Sequence, residues 1–252
     1  MTSLAFRTLG GQGPDVLLIH GFGSDRLSWA GNAAALMAVA RLHALDLPGH
    51  GESASDVGDG SIMELAKRVS KSLRAQGIGK AHLVGHSLGG AIAMELAAQA
   101  PESVLSLSLI APAGLGVGID HDFLARYPEL NTPEETATLL GRLVTKPFLI
   151  NKFTIQRVLT QLAQPGTREA LRCIATALAR SEAALQERAV LIGRMDIPRL
   201  VIWGERDSVN PLDSNRLADF GGRLLILPDS GHLPHIEAAR PVNAAITDFW
   251  QP

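Results

Sequence analysis

Six short apolar runs punctuate this chain, and most of the segments between them carry helical spacing. The runs are "DVLLIHG" (15–21), "ARLHALDLPGHG" (40–51), "KAHLVGHS" (80–87), "SVLSLSLIAPAG" (103–114), "PRLVIWGERD" (198–207) and "GRLLILPDSGH" (222–232). Each is a strand candidate bounded by glycine, proline or polar residues. Between them, "IMELAKRVSKSLRAQG" (62–77) sets Ile62, Leu65, Ala66, Val69 and Leu73 at helical spacing and stops at Gly77. "GGAIAMELAAQAP" (89–101) reads as a helix of small residues ended before Pro101, and a final helix covers roughly 241–250. Strands alternating with helices imply an α/β fold: a largely parallel sheet covered on both faces.

One stretch breaks the alternation. From about residue 117 to 195 the chain offers only helical material. Thr132 opens "TPEE", with Pro133 at the first helical position and Glu135 three residues after the cap, which predicts a capping box. Further helical patterns follow in 150–164 and 167–188. An all-helical segment placed between two strands is expected to lie as a lid over the C-terminal edge of the sheet. The expected division is therefore a core of 1–116 and 196–252 with a helical cap of 117–195. A length of 252 residues suits one α/β domain carrying such an insertion.

Composition narrows the partners. The formal net charge is −2 and no basic stripe appears, so neither nucleic acid nor an anionic membrane is expected. The start lacks a basic stretch followed by an apolar one, so no secretory signal is read. The most apolar stretch is interrupted by serines, Pro112 and glycines, which suits a strand and loop rather than a membrane span. The single cysteine, Cys173, cannot form an intrachain disulfide and reads as a small buried apolar residue. A reduced cytoplasmic setting is the expectation. No His/Cys cluster has metal-site spacing and no phosphate-binding glycine loop is present, so neither metal nor cofactor is expected.

The chemistry centres on Gly85-His86-Ser87-Leu88-Gly89. The bare G-x-S-x-G pattern is expected by chance in about one such chain in six, so its context must carry the argument. Here a strand leads in and a helix leads out. A turn that sharp crowds its neighbours, which glycine at 85 and 89 relieves. It lifts the serine hydroxyl clear of the sheet at a helix N-terminus, where developing negative charge is favoured. A serine needs a base, and the base an orienting carboxylate. Asp207 and His232 stand at the ends of the last two strands, where strand ends converge on one crevice. The order Ser–Asp–His suits this architecture. Glu205 and Asp229 compete as the acid; Asp229, three residues before His232, reads better as a turn residue. His235 competes as the base but follows Pro234, further from the strand end. Two backbone N–H groups should form the oxyanion hole: Leu88, directly after the serine, and Phe22 in the glycine-flanked loop "HGFGS".

Other residues have plainer readings. His20 and His50, in glycine-containing strand-end loops, are expected to be structural hydrogen-bonding residues, and His86 to be structural with its side chain turned away from Ser87. His121 and Asp122 open the lid and read as surface. Trp29, Phe123, Phe148 and Phe153 are candidates for an apolar pocket, though aromatic residues at helical spacing more often build core.

In order along the chain, "LIHGFG", "DLPGHGES", "LVGHSLGG", "WGERD" and "SGHLPHIEAARPVN" resemble the motifs of the α/β-hydrolase superfamily over nearly the whole length. The resemblance implies the α/β-hydrolase fold, Ser87 as nucleophile, Asp207 as acid, His232 as base and oxyanion contacts at Phe22 and Leu88. "HGFGSD…W", "APAGLG" and the helical lid are similar to the hydrolase-like proteins named as the dihydrolipoamide acetyltransferase component of acetoin dehydrogenase. About fifteen residues precede the first buried strand and no H-x-x-x-D-G motif is present, so a free-standing hydrolase is expected. The expected activity is hydrolysis of an ester, thioester or related small-molecule acyl substrate. The alternatives are cleavage of a diketone C–C bond, acyl transfer with the same triad, and ligand binding without catalysis.

Overall fold

The computed structural model describes residues 4–251. In chain order the elements are β1 (Phe6–Gly10), β2 (Asp15–Ile19), α1 (Ala30–Met37), β3 (Arg41–Leu45), α2 (Ile62–Ala75), β4 (Ala81–His86), α3 (Leu88–Gln99) and β5 (Val104–Ile110). The helical insertion follows as α4 (His121–Arg126), α5 (Pro133–Gly141), α6 (Lys152–Leu162), α7 (Thr167–Arg180) and α8 (Glu182–Gly193). The chain closes with β6 (Arg199–Gly204), α9 (Ser214–Phe220), β7 (Arg223–Leu227), α10 (Pro234–Glu237) and α11 (Ala239–Trp250).

Seven strands form one sheet in the order β1-β3-β2-β4-β5-β6-β7. Every pairing is parallel except β1 with β3. Successive residues of a strand feed opposite layers. Leu17 and Ile19 enter one core with Leu83, Val201 and Trp203, under α2, α3 and α8. Val16 and Leu18 enter a second with Val84, Leu200 and Ile202, under α1 and α11. That two-sided burial is why the strands read as unbroken apolar runs.

Strand β1 had no counterpart in the sequence reading. It is an antiparallel edge strand whose central Arg7, Thr8 and Leu9 are exposed, so its sequence lacks an apolar signal. Helices α1 and α9 also went unread. The first is alanine-rich with only Asn32 and Leu36 buried, and the second spans seven residues.

The insertion divides its packing. Helices α4 to α7 gather a third apolar cluster around Phe123, Tyr127, Leu139, Leu140, Leu162 and Leu171. Helix α8 and the other face of α7 join the main core through Ile174, Leu178, Leu185 and Ile192. Arg188 of α8 also pairs with the buried Glu95 of α3 at 2.8 Å. The predicted cap at Thr132 forms: its hydroxyl accepts from the Glu135 N–H at 3.2 Å, while the Glu135 carboxylate reaches the Asn131 N–H instead of that of Thr132.

The strand–turn–helix from β4 to α3 is packed to contact. A Cβ on Gly85 would lie 2.4 Å from the Gly89 carbonyl oxygen, and one on Gly89 would lie 2.2 Å from that of Ile19. Backbone cannot yield as a side chain can. Gly89→Ala is therefore expected to cost more than about 3 kcal/mol. Gly79→Ala, where nothing lies within 4 Å, should change the unfolding free energy by less than about 0.5 kcal/mol. Urea unfolding of the two variants checks this, and equal midpoints would contradict the packing.

Several histidines lie in the interior of the fold. His20, His50, His86 and His235 are all buried. Burial lowers the ring of His20 to about 4 and that of His235 to about 3. Burial, with His20 beside it, lowers His50 to about 3, and burial takes His86 well below its ordinary value. Below pH 6.5 the unfolded chain binds protons that these native rings refuse. Stability should thus be fullest above pH 6.5 and fall as pH drops toward 4, each ring contributing up to about 1.4 kcal/mol per pH unit. Thermal unfolding from pH 8 to 4.5 should show this steep acid loss; a flat profile would mean the rings are not held neutral.

Candidate active site

Ser87 sits between β4 and α3 with φ of 51° and ψ of −113°, a strained conformation for a residue with a side chain. The strain is held by backbone bonds on both sides. The Ser87 N–H donates to Ile110 of β5, and its carbonyl accepts from Gly90, Ala91 and Ala113. The side chain is half-buried on a cavity wall, and its hydroxyl bonds to none of the described residues.

His232 follows β7 and lines the same cavity. Its Nδ1 lies 2.7 Å from Oδ2 of Asp207, which follows β6. The other Asp207 oxygen accepts from the N–H groups of Val209 and Asn210 at 2.9 and 2.8 Å. This carboxylate is fully enclosed, and backbone donors together with the imidazole offset its desolvation. The competing acids lie elsewhere: Glu205 is exposed, and Asp229 pairs with Arg206 at the surface. His235 lies under the site, stacked between His86 and Trp29 at ring separations of 4.6 and 4.7 Å. His86 donates its Nε2–H to the His232 carbonyl at 2.8 Å, so it holds the loop that carries His232.

The loop after β2 meets the turn at Ser87. A Cβ on Gly21 would lie 2.6 Å from His86 Nδ1 and 3.4 Å from Ser87 Cβ, so only glycine permits this approach. His50 Nε2 accepts from the Gly23 N–H at 3.0 Å, and the Tyr127 hydroxyl donates to the Gly23 carbonyl. Gly23 has φ of +70°, and a Cβ there would strike the Tyr127 ring. Among the described residues, the N–H groups of Phe22 and Leu88 have no acceptor. His20 holds the neighbouring loop by accepting from the Leu47 N–H at 2.9 Å.

A cavity of about 370 Å³ opens over Ser87 and His232. Its walls are mainly apolar, with Leu27, Phe123, Leu140, Val144, Val158 and Ile236 among them. Its one ion pair joins Asp25, after β2, to Arg157 of α6, so the two charges neutralise each other. Of the four aromatic candidates, Phe123 lines the cavity and Trp29 is core. Phe148 and Phe153 are 74% and 76% exposed on the insertion. His121 and Asp122 lie at the surface, 3.5 Å from Glu182 and 2.8 Å from Arg142 respectively. Cys173 is half-buried against the main core.

Several residues around the site carried no readable signal. Tyr127, Arg157 and Glu237 each reach it from a helix whose direction is set by tertiary packing. The single tyrosine of the chain, beside Pro128, was the only local hint. Among the described residues no group of three His, Cys, Asp or Glu side chains could hold a metal ion, and no helix is long and apolar enough to cross a membrane.

The chain is 38% identical, over 96% of its length, to the dihydrolipoyllysine-residue acetyltransferase component of the acetoin cleaving system of Pseudomonas putida. It spans 65% of that protein's length. Among solved structures, a meta-cleavage product hydrolase from Pseudomonas fluorescens IP01 superposes with a TM-score of 0.87 at 24% identity, covering 98% of this chain and 93% of that one. A putative lipase from Acinetobacter baumannii AYE superposes with a TM-score of 0.84 at 26% identity, covering 98% and 91%. Residues 14–239 match the family described as alpha/beta hydrolase fold, and with the strand order and the turn at Ser87 this shows that the chain belongs to the α/β-hydrolase fold family.

Proposed function

We propose that this protein is a serine hydrolase that cleaves an uncharged ester, thioester or related acyl compound through an acyl-enzyme. The observation that carries the reading is the 2.7 Å contact of His232 with an enclosed Asp207, on the same cavity as a strained Ser87. In this reading Asp207 accepts the Nδ1–H of His232, which leaves the Nε2 lone pair to take the Ser87 proton. The serine oxygen attacks the substrate carbonyl, and the N–H groups of Phe22 and Leu88 receive the oxyanion. His232 returns the proton to the leaving group. It then deprotonates a water that releases the acid and restores Ser87. The Ser87–His232 hydrogen bond is the contact that substrate binding closes.

The helical segment 117–195 acts as the cap in this reading, with α4 to α6 covering the cavity. A volume of about 370 Å³ stands near the lower end of ligand pockets, which run from about 300 to 1,000 Å³. The paired Asp25 and Arg157 leave no free charge to receive a carboxylate. Both features favour a neutral acyl group of short to medium length. Acyl transfer to a thiol is the second reading, favoured by the name of the Pseudomonas putida relative. It differs only in which nucleophile reaches the acyl-enzyme, and product analysis with added dihydrolipoamide decides between them.

Ser87→Ala should lower kcat on a p-nitrophenyl ester by about 10⁴-fold or more and abolish labelling by a fluorophosphonate. Turnover near that of the unaltered enzyme would overturn the mechanism. Across neutral p-nitrophenyl esters of rising chain length, kcat/KM should peak at short to medium acyl groups, and esters with a carboxylate on the acyl chain should react poorly. Preference for the charged esters would overturn the assignment of a neutral pocket.

A further inference from the structure

The segment joining α5 to α6 crosses the loop that carries His232. The His232 N–H donates to the Leu143 carbonyl at 2.8 Å. A Cβ on Gly231 would lie 2.8 Å from that same oxygen, so the two chains touch backbone to backbone. The Thr145 hydroxyl sits 2.8 Å from the Asp229 carbonyl. The strap formed by 142–146 also reaches the loop of the acid, because the Ser208 hydroxyl donates to the Arg142 carbonyl at 2.9 Å.

Glu237 of α10 ties these two chains together. It is buried, and its carboxylate collects donors from both. Oε1 accepts from the Gly231 N–H at 2.6 Å, immediately before His232. Oε2 accepts from the Thr145 N–H at 2.8 Å and lies 2.7 Å from the Thr145 hydroxyl. Lys146 donates to the Glu237 backbone carbonyl at 2.6 Å. A carboxylate offers two acceptor oxygens and no donor, which matches three converging donors. A carboxamide would set an NH₂ group against one of those N–H groups.

We propose that Glu237 is a positioning residue that locks the His232 loop to the strap of the cap, so that the base stands in register with Ser87 only while the strap is seated. This rests on the reading of His232 as the base. The lock makes the cap part of the catalytic apparatus: lifting the strap removes the acceptor of the His232 N–H and one side of the Glu237 clamp together. A ring displaced by about 1 Å is enough to cost around 100-fold in rate.

The test compares Glu237→Gln, Thr145→Val, Thr145→Ser and the double variant Glu237→Gln/Thr145→Val in the full chain. For each, kcat and KM on a p-nitrophenyl ester, the rate of fluorophosphonate labelling and the thermal midpoint are measured. Glu237→Gln should lower kcat and the labelling rate by roughly 10- to 100-fold with KM changed less than about threefold. Thr145→Val should lower them several-fold, Thr145→Ser should restore them, and the double variant should fall no further than Glu237→Gln alone. A fall in midpoint with unchanged kcat per labelled site would overturn the proposal, as would losses that multiply in the double variant. If Glu237→Gln does not fold, the Val and Ser substitutions at 145 decide it: equal kcat in the two overturns it. Activity persisting in Ser87→Ala would instead remove the hydrolase reading itself, whereas an inert Ser87→Ala beside an unaffected Glu237→Gln removes only the lock.

Discussion

A serine hydroxyl stands clear of a parallel sheet only if the strand becomes a helix within one residue, and the rest of this site is arranged around that turn. The constraint is steric. At Ser87 the backbone adopts a positive φ, and the chain on either side passes within contact of β2 and of its own helix. Glycines at 85 and 89 are the only residues that fit those approaches. Backbone hydrogen bonds to β5 and to the segment after it brace the strained residue.

Around the turn, the loops are held mainly by buried side chains that bond to backbone. His50 and Tyr127 fix the two polar groups of Gly23, Asp207 gathers the N–H groups of Val209 and Asn210, and His86 holds the carbonyl of His232. Loops that leave a sheet edge carry polar groups without ladder partners, and burying them under a helical insertion requires another partner for each. The same requirement accounts for buried, neutral His20 and His50, each of which accepts one backbone N–H and donates to a backbone carbonyl. An imidazole can accept from one N–H and donate to a carbonyl while carrying no charge.

The core and the candidate site were legible because their signals are local. The six strands read from apolar runs are β2 to β7, and each run ends at a loop that reaches one edge of the sheet. Ser87, Asp207 and His232 each stand at the end of such a run, so their sequence positions carried spatial information. Strand β1 was not legible, since an exposed edge strand bears no apolar signature. The aromatic residues show the same limit. Phe123 and Phe153 have similar helical surroundings in the sequence, yet one lines the cavity and the other stands in solvent.

By itself, the sequence determined an α/β sheet, the edge at which Ser87, Asp207 and His232 gather, their order along the chain and the presence of a helical insertion. All four follow from periodicity and from residues adjacent to strand ends. Only the tertiary structure decided how the insertion is shared between a cluster of its own and the main core, that Asp25 and Arg157 pair in the cavity, and that Glu237 bridges Gly231 and Thr145. Those contacts join residues 92 to 132 positions apart, or bridge segments through a third, and no local pattern encodes the angle at which one helix packs across another.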